Sequence, residues 1–437
     1  MKAFQIVLII IFIALAIIGV LMFAGYIPSP KRSGRIEPVT LVVWGTMPSQ
    51  KIVSSLDAFE AGEKVTLRYV EKSEKDLEVD LLRSIANNTT PDLILFSHEL
   101  LETLKDNLFV IKDSSEFSVR DFKNIYIEGS EIFIDGTDMR ALPVMVDPLV
   151  MYWNRDTFNE ERITEPPKTW SQVINFSNTV TKRDSEGKIL SSSIALGEAD
   201  NITHFKDILS LLFLQTGDPI IQRGTDGTPS VLLATSRKGE DVGFSSAESA
   251  LSFFTGFSDP VKRHYSWNTS LDISFDAFSV GDVALYLAPA SEYEKIRTRN
   301  PLLNYDVAPV PQLEKGTDTT FGKIYALGII KNSSHINEAF RAAFYLAFSN
   351  KDNATLFEDV FFLPSARRDV LAGGSPDPVM SVFYDGAIIT RVWVDPDPVA
   401  TENIFRKMVR DVSTNISNIG DAISSARNSL QNLVRKL

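Results

Sequence analysis

The sequence predicts an α/β protein built from βαβ units, long enough for two lobes and preceded by one N-terminal transmembrane helix. Three observations predict it. Short apolar runs alternate with helical stretches along most of the chain, the pattern of parallel strands covered on both faces. The 437 residues exceed what one ordinary core accommodates. The run from Ala3 to Ile27 carries no charged residue.

That run, AFQIVLIIIFIALAIIGVLMFAGYI, is the first element. As a helix it spans roughly 37 Å, against a hydrocarbon core of roughly 30 Å. A cleaved signal peptide has a shorter apolar stretch, about 7–15 residues, and a small-x-small exit. Here the exit reads Phe23-Ala24-Gly25-Tyr26-Ile27-Pro28, so the run reads as an uncleaved signal anchor. Lys2 on one side and Lys31, Arg32 and Arg35 on the other leave its orientation open by positive-inside counting. PSPKRSGRIEP (28–38) is Pro-rich and basic, a short linker.

LVVW (41–44), VTLRYV (65–70) and DLILFS (92–97) follow as strands, with a helix near 49–61 between the first two. Leu77, Leu81, Leu82 and Ile85 predict a second helix with one apolar face. IFIDGTDMRALPV (132–144) reads as a hairpin turning at Asp135-Gly136. Pro166-Pro167 ends an element, and Thr169 caps a helix starting near Trp170. Phe205–Thr216 is an amphipathic helix, and PSVLLAT (229–235) closes a second hairpin. VALYLA (283–288), YDVAPV (305–310) and IYALGII (324–330) are strands, and Asn337–Phe348 is a helix. From Asp377 onward the chain reads as almost wholly helical.

Composition removes several function classes. Net charge is −12, and residues 1–36 hold only basic groups, which leaves the remainder at −16. Such an acidic body is unsuited to nucleic acid, which demands Lys and Arg clusters. The absence of cysteine excludes disulfides, thiol nucleophiles and thiolate metal sites. Four scattered histidines (98, 204, 264 and 335) offer no metal-ligand spacing. No GxSxG elbow, HExxH, Walker loop or dinucleotide fingerprint is present. The acids of DPDP (395–398) read as turn chemistry. No metal, no cofactor and no catalytic residue is expected.

Several blocks resemble the extracellular solute-binding proteins that feed carbohydrate importers, the maltose-binding-protein type. RALPVMVDPLVMYWNRDTF (140–158), then EPPKTWSQVINFSNTVTKRDSEGKI (165–189), is similar to that family's Leu-Pro strand, Tyr-x-Asn-x-Asp-x-Phe element and Pro-Pro-x-Thr-Trp helix start. GDVALYLAP (281–289), YDVAPVPQ (305–312), GKIYALGIIKNSSHINEAFRAAFYLAFS (322–349) and FFLPSARRDVL (361–371) resemble its later blocks, in the same order. The resemblance implies a two-lobed periplasmic-binding-protein-like fold (type II), each lobe a mostly parallel sheet flanked by helices. It implies crossings near 143–150, 320–328 and 362–369. Lobe one would be 39–145 and 328–365, and lobe two 146–322 and 368–437, after an anchor and linker at 1–38. It further implies extracytoplasmic capture of a small polar solute, a sugar or oligosaccharide, for an ATP-binding-cassette importer. The partners implied are that solute, the importer's membrane permease and, through the N-terminal helix, the cell membrane.

Candidate ligand residues follow from what a sugar offers, hydroxyls for polar partners and C–H faces for aromatic rings, at strand ends and crossings. Trp44 and Thr46 end the first strand, where Trp44 is either a cleft residue or a core tryptophan. Phe96 and Glu99 end the third, although Glu99 could instead cap the next helix. Asp147 places a carboxylate inside an apolar run, which is costly to bury without a partner; a turn Asp before Pro148 is the plainer reading. At most one of Tyr152 and Trp153 faces the cleft. Trp267, Tyr325 and Trp393 complete the set, with Arg391 a weaker companion. The tryptophan that sugar binders of the family place beyond the GDVALYLAP block is missing, leaving Tyr293 as its substitute. Two other classes compete. A surface glycoside hydrolase needs two flanking carboxylates, for which only Asp147 and Glu99 are candidates. A sensory or interaction module would have an aliphatic cleft.

Overall fold

The computed structural model describes residues 39–49, 65–115, 117–224, 227–234, 246–349 and 355–436. The predicted anchor and linker, and nearly all of the predicted helix near 49–61, lie outside these residues. Among the described residues no helix is long and apolar enough to cross a membrane.

Three parallel strands open the fold: β1 (Val39–Gly45), β2 (Val65–Glu71) and β3 (Leu93–Ser97), with β1 paired to both others. All five β3 residues are buried, as expected for a strand covered on both faces. The helix Leu77–Ala86 connects β2 to β3 and buries Leu77 and Leu81 while Ile85 is half-buried. Leu82, predicted on that face, is half exposed. At 100° per residue it points about 140° away from Leu77. The turn at Asp135-Gly136 forms, joining Ile134–Asp135 to Asp138–Met139, with Gly136 at φ 66°.

β4 (Leu142–Asn154) is a 13-residue apolar strand. It is followed by β5 (Ile189–Ile194), β6 (Val283–Pro289), β7 (Tyr305–Ala308) and β8 (Thr320–Ile329). Two of these strands are shared by both halves of the molecule. Residues 142–148 of β4 pair antiparallel with β8, whose residues 325–329 in turn pair with β3. Residues 149–154 of β4 pair with β6 and β7 instead, and β6 pairs parallel with β5. A third segment runs beside β4, where Pro364 O accepts the Val146 N–H at 2.8 Å. Gly322 sits where β8 meets β4 most tightly, because a Cβ there would lie 2.8 Å from Asp147 O. The glycine thus serves strand contact at the crossing.

The C-terminal helices Pro378–Ile388, Pro398–Ser413 and Ile419–Val434 start at Asp377, Asp397 and Asn418, whose side chains accept backbone N–H groups of the first turn. The result is two α/β halves joined through β4, β8 and the 364–366 segment.

Candidate functional site

A cavity of about 910 Å³ lies between the two halves. One wall is 73–78 and 99–106, the other is 203–207 and 396–402, and Lys323 of β8 reaches in from the crossing.

Glu99 organises the cleft. β3 ends at Ser97, and a 3-10 turn over His98–Leu100 then directs the Glu99 side chain inward, where it is buried. Its Oε2 lies 2.7 Å from Lys323 Nζ and its Oε1 3.3 Å from Lys206 Nζ. Burial alone pushes a carboxyl up, but the two ammonium groups more than offset it and hold Glu99 well below the usual range.

Lys206 enters from the other half, in the first turn of the helix Phe205–Gln215. Its Nζ donates to Asp395 Oδ2 at 2.5 Å and to Pro398 O at 3.4 Å. Asp395 in turn accepts the Thr401 hydroxyl at 2.9 Å. Burial pulls Lys206 down, yet Glu99 and Asp395 keep it charged. A buried charge persists only when paired in this way.

Two histidines flank this cluster in opposite states. His98 Nδ1 accepts the Ile324 N–H at 3.2 Å, and burial lowers its pKa to about 4, so the ring is neutral. His204 lies 3.5 Å from Asp207 and 3.6 Å from Glu292. Burial opposes its charge, but the two acids prevail and raise its pKa to about 9. Farther along the wall that holds Glu99, buried Glu102 pairs with Arg223 and, at 2.8 Å, with Lys105.

Of the ten residues predicted to meet a ligand, the cleft lining contains Glu99. Trp44 is buried at the end of β1 with Lys72 Nζ 4.2 Å from its ring centre, and Thr46 is half-buried. Phe96 packs edge-on against Phe133 in the core. Asp147 is buried and accepts the Ser291 N–H at 2.9 Å, at the start of the helix Glu292–Arg299. Tyr152 is buried with its hydroxyl donating to Pro289 O at 2.9 Å. Trp267 is buried with Nε1 donating to Asn201 Oδ1 at 3.0 Å. Tyr293, half-buried, stacks on Phe362. Trp393 is buried against Phe405, its Nε1 donating to Ser210 Oγ at 3.1 Å. Tyr325 is half-buried on β8, two residues beyond Lys323. The structure therefore does not bring Asp147, Trp267 and Trp393 together at the cleft. Each satisfies its polar atom with protein instead.

Lys206, His204 and Asp207 are cleft residues that sequence reasoning passed over. The signal was present, since HFKD places three ionisable groups at the mouth of the apolar helix FKDILSLLFLQ. Among the described lining residues the one carbocyclic ring is Phe205, itself buried beneath the Arg406 guanidinium. The cleft therefore offers ammonium donors and carboxylate acceptors rather than an exposed ring. Of the two carboxylates expected as a hydrolytic pair, Asp147 does not line the cleft, and Glu99 is ion-paired to two lysines. Among the described residues no group of three or more His, Asp or Glu side chains is arranged to hold a metal ion.

A family model described as bacterial extracellular solute-binding protein matches residues 54–379. No curated protein sequence matches the chain. Among solved structures, the cyclic α-maltosyl-1,6-maltose binding protein from Arthrobacter globiformis superposes with a TM-score of 0.73 at 16% identity, covering 92% of this chain and 100% of that one. A cyclo/maltodextrin-binding protein complexed with maltotetraose gives 0.72 at 15%, covering 93% and 100%. The sugar-binding protein MalE from Xanthomonas citri gives 0.70 at 16%, covering 91% and 98%. At these identities the likeness is one of fold, the two-lobed α/β architecture.

Proposed function

The chain belongs to the bacterial extracellular solute-binding proteins, and from that premise we propose that it captures a sugar or oligosaccharide between its lobes for an ATP-binding-cassette importer. The observation that carries this reading is the convergence of Glu99, Lys206 and Lys323, from one lobe, the other lobe and the crossing, on a single cavity. Such groups grip a ligand hydroxyl by charge-assisted hydrogen bonds, and contacts from both lobes favour the closed state. The similar structures named above bind maltodextrins and related sugars, which supports a carbohydrate as the solute.

Glu99, Lys206 and Lys323 are the proposed ligand contacts, with Tyr325 behind them. Lobe one comprises 39–145 and 328–365, and lobe two 146–322 and 368–437. The role is capture without catalysis. The N-terminal run 3–27 anchors the protein, holding lobes outside the cytoplasm near the permease, where a tether raises effective concentration.

Thermal-shift screening against sugars, polyols, amino acids and peptides tests the reading. A ligand at about 100 times its Kd adds about 2.7 kcal/mol to folded-state stability. Stabilisation by a mono- or oligosaccharide is the expected result. Stabilisation by amino acids or peptides alone would overturn the carbohydrate assignment.

A further inference from the structure

The cleft walls are joined to each other directly by side chains. Glu99 and Glu102 stand three residues apart on the segment 98–104, so they face the other lobe from neighbouring positions. Glu99 reaches Lys206 at 3.3 Å, and Glu102 reaches Arg223. Arg223 ends the short strand Ile221–Arg223, one arm of a hairpin with Pro229–Val231. That hairpin is fixed to lobe two, where Ile221 O accepts the Val394 N–H at 3.2 Å. Gly227, between the two arms, lies against lobe one, because a Cβ there would be 3.1 Å from Asp135 Oδ1. A third pair, Arg391–Glu128 at 2.8 Å, joins the lobes at a more exposed position.

Both inner acids are almost fully buried, with side-chain exposures of 5% and 1%. Pairs so placed are screened little by salt and are lost only when both charges are re-solvated. They need no solute between them, since each runs from residue to residue.

We propose that Glu99–Lys206 and Glu102–Arg223 form a two-point electrostatic latch that holds the lobes closed, with the paired arms Ile221–Arg223 and Pro229–Val231 as its strap. This rests on the two-lobed capture reading and deepens it. Closure is then set by the chain itself, and a solute enters by competing with an existing contact. The apparent affinity falls in proportion to the fraction of molecules open to receive it.

Because the chain has no cysteine, Val79→Cys with Val399→Cys supplies two spin-label sites, both more than half exposed, one on the helix Leu77–Ala86 and the other on Pro398–Ser413 of the opposite lobe. Pulsed electron–electron distance measurement on the full chain in nanodiscs, with no solute added, is the test. The expected result is one narrow distance in the parent and a longer, broader distribution in Glu99→Gln and in Arg223→Gln. Arg223→Gln leaves Glu102 paired with Lys105, so it is the variant to read if Glu99→Gln does not fold. An unchanged distribution in folded Arg223→Gln, or a parent distribution already broad, would overturn the latch. Neither outcome depends on which solute binds, so this test fails separately from the carbohydrate reading.

Discussion

Asp147 and Lys323 are register partners on β4 and β8, yet their charged ends serve different parts of the molecule. The Asp147 carboxylate accepts the Ser291 N–H at 2.9 Å, while the Lys323 ammonium reaches Glu99 at 2.7 Å. One crossing position therefore holds a helix in lobe two, and its partner supplies the cleft with charge.

The acid's role is structural on this account. Asp147→Ala leaves the Ser291 N–H without its acceptor at a helix N-terminus. It should cost about 1–3 kcal/mol in denaturant unfolding. Solute affinity, measured by calorimetric titration, should stay within a factor of about two. A loss of affinity with no loss of stability would show that the carboxylate meets the ligand.

Lys323→Met removes the nearer of two cations from Glu99. Truncating one member of a fully buried pair costs about 3–5 kcal/mol, and the partial exposure of Lys323 brings the expectation to about 1–3 kcal/mol. Solute affinity should also fall, by about tenfold, or about 1.4 kcal/mol. Here the calorimetric titration should move together with the unfolding midpoint.

Trp267 is wholly buried, with its indole N–H bound to Asn201. Trp267→Phe should therefore destabilise by about 1–3 kcal/mol through lost packing and an unsatisfied amide oxygen. A tryptophan that stacked on sugar would instead weaken binding when replaced. Thermal unfolding read beside a binding isotherm separates the two.

His204 predicts an alkaline loss of stability. Its folded pKa is raised to about 9, against an ordinary value of about 6.5. The folded state thus holds a proton that the unfolded state has released across that window. Stability is fully present below about pH 6.5 and falls as pH rises toward 9, by on the order of 2–3 kcal/mol. His98, lowered to about 4, acts in the opposite sense: its contribution is present above about pH 6.5 and fades as pH falls toward 4. Unfolding curves across pH should show the alkaline decline flattened in His204→Gln.

Much of the fold was legible because its signals are local. The buried run LILFS and the Thr169 cap each follow from neighbours in sequence. The cleft was less legible because its contacts are distant. Lys206 meets an acid 189 positions away in Asp395, and Asp147 finds its donor 144 positions away in Ser291. A charge inside an apolar run announces that a partner exists, without saying which. The tryptophans misled for a related reason: Trp267 and Trp393 meet their polar needs through Asn201 and Ser210, both inside the core. Residue type and loop position alone could not distinguish that from stacking on a ligand.

Hydrogen exchange with and without a stabilising sugar tests the central claim most directly. Capture between the lobes predicts added protection in two separate stretches, 99–106 of one wall and 203–207 with 396–402 of the other. Protection confined to a single wall, or found only away from the cleft, would contradict it.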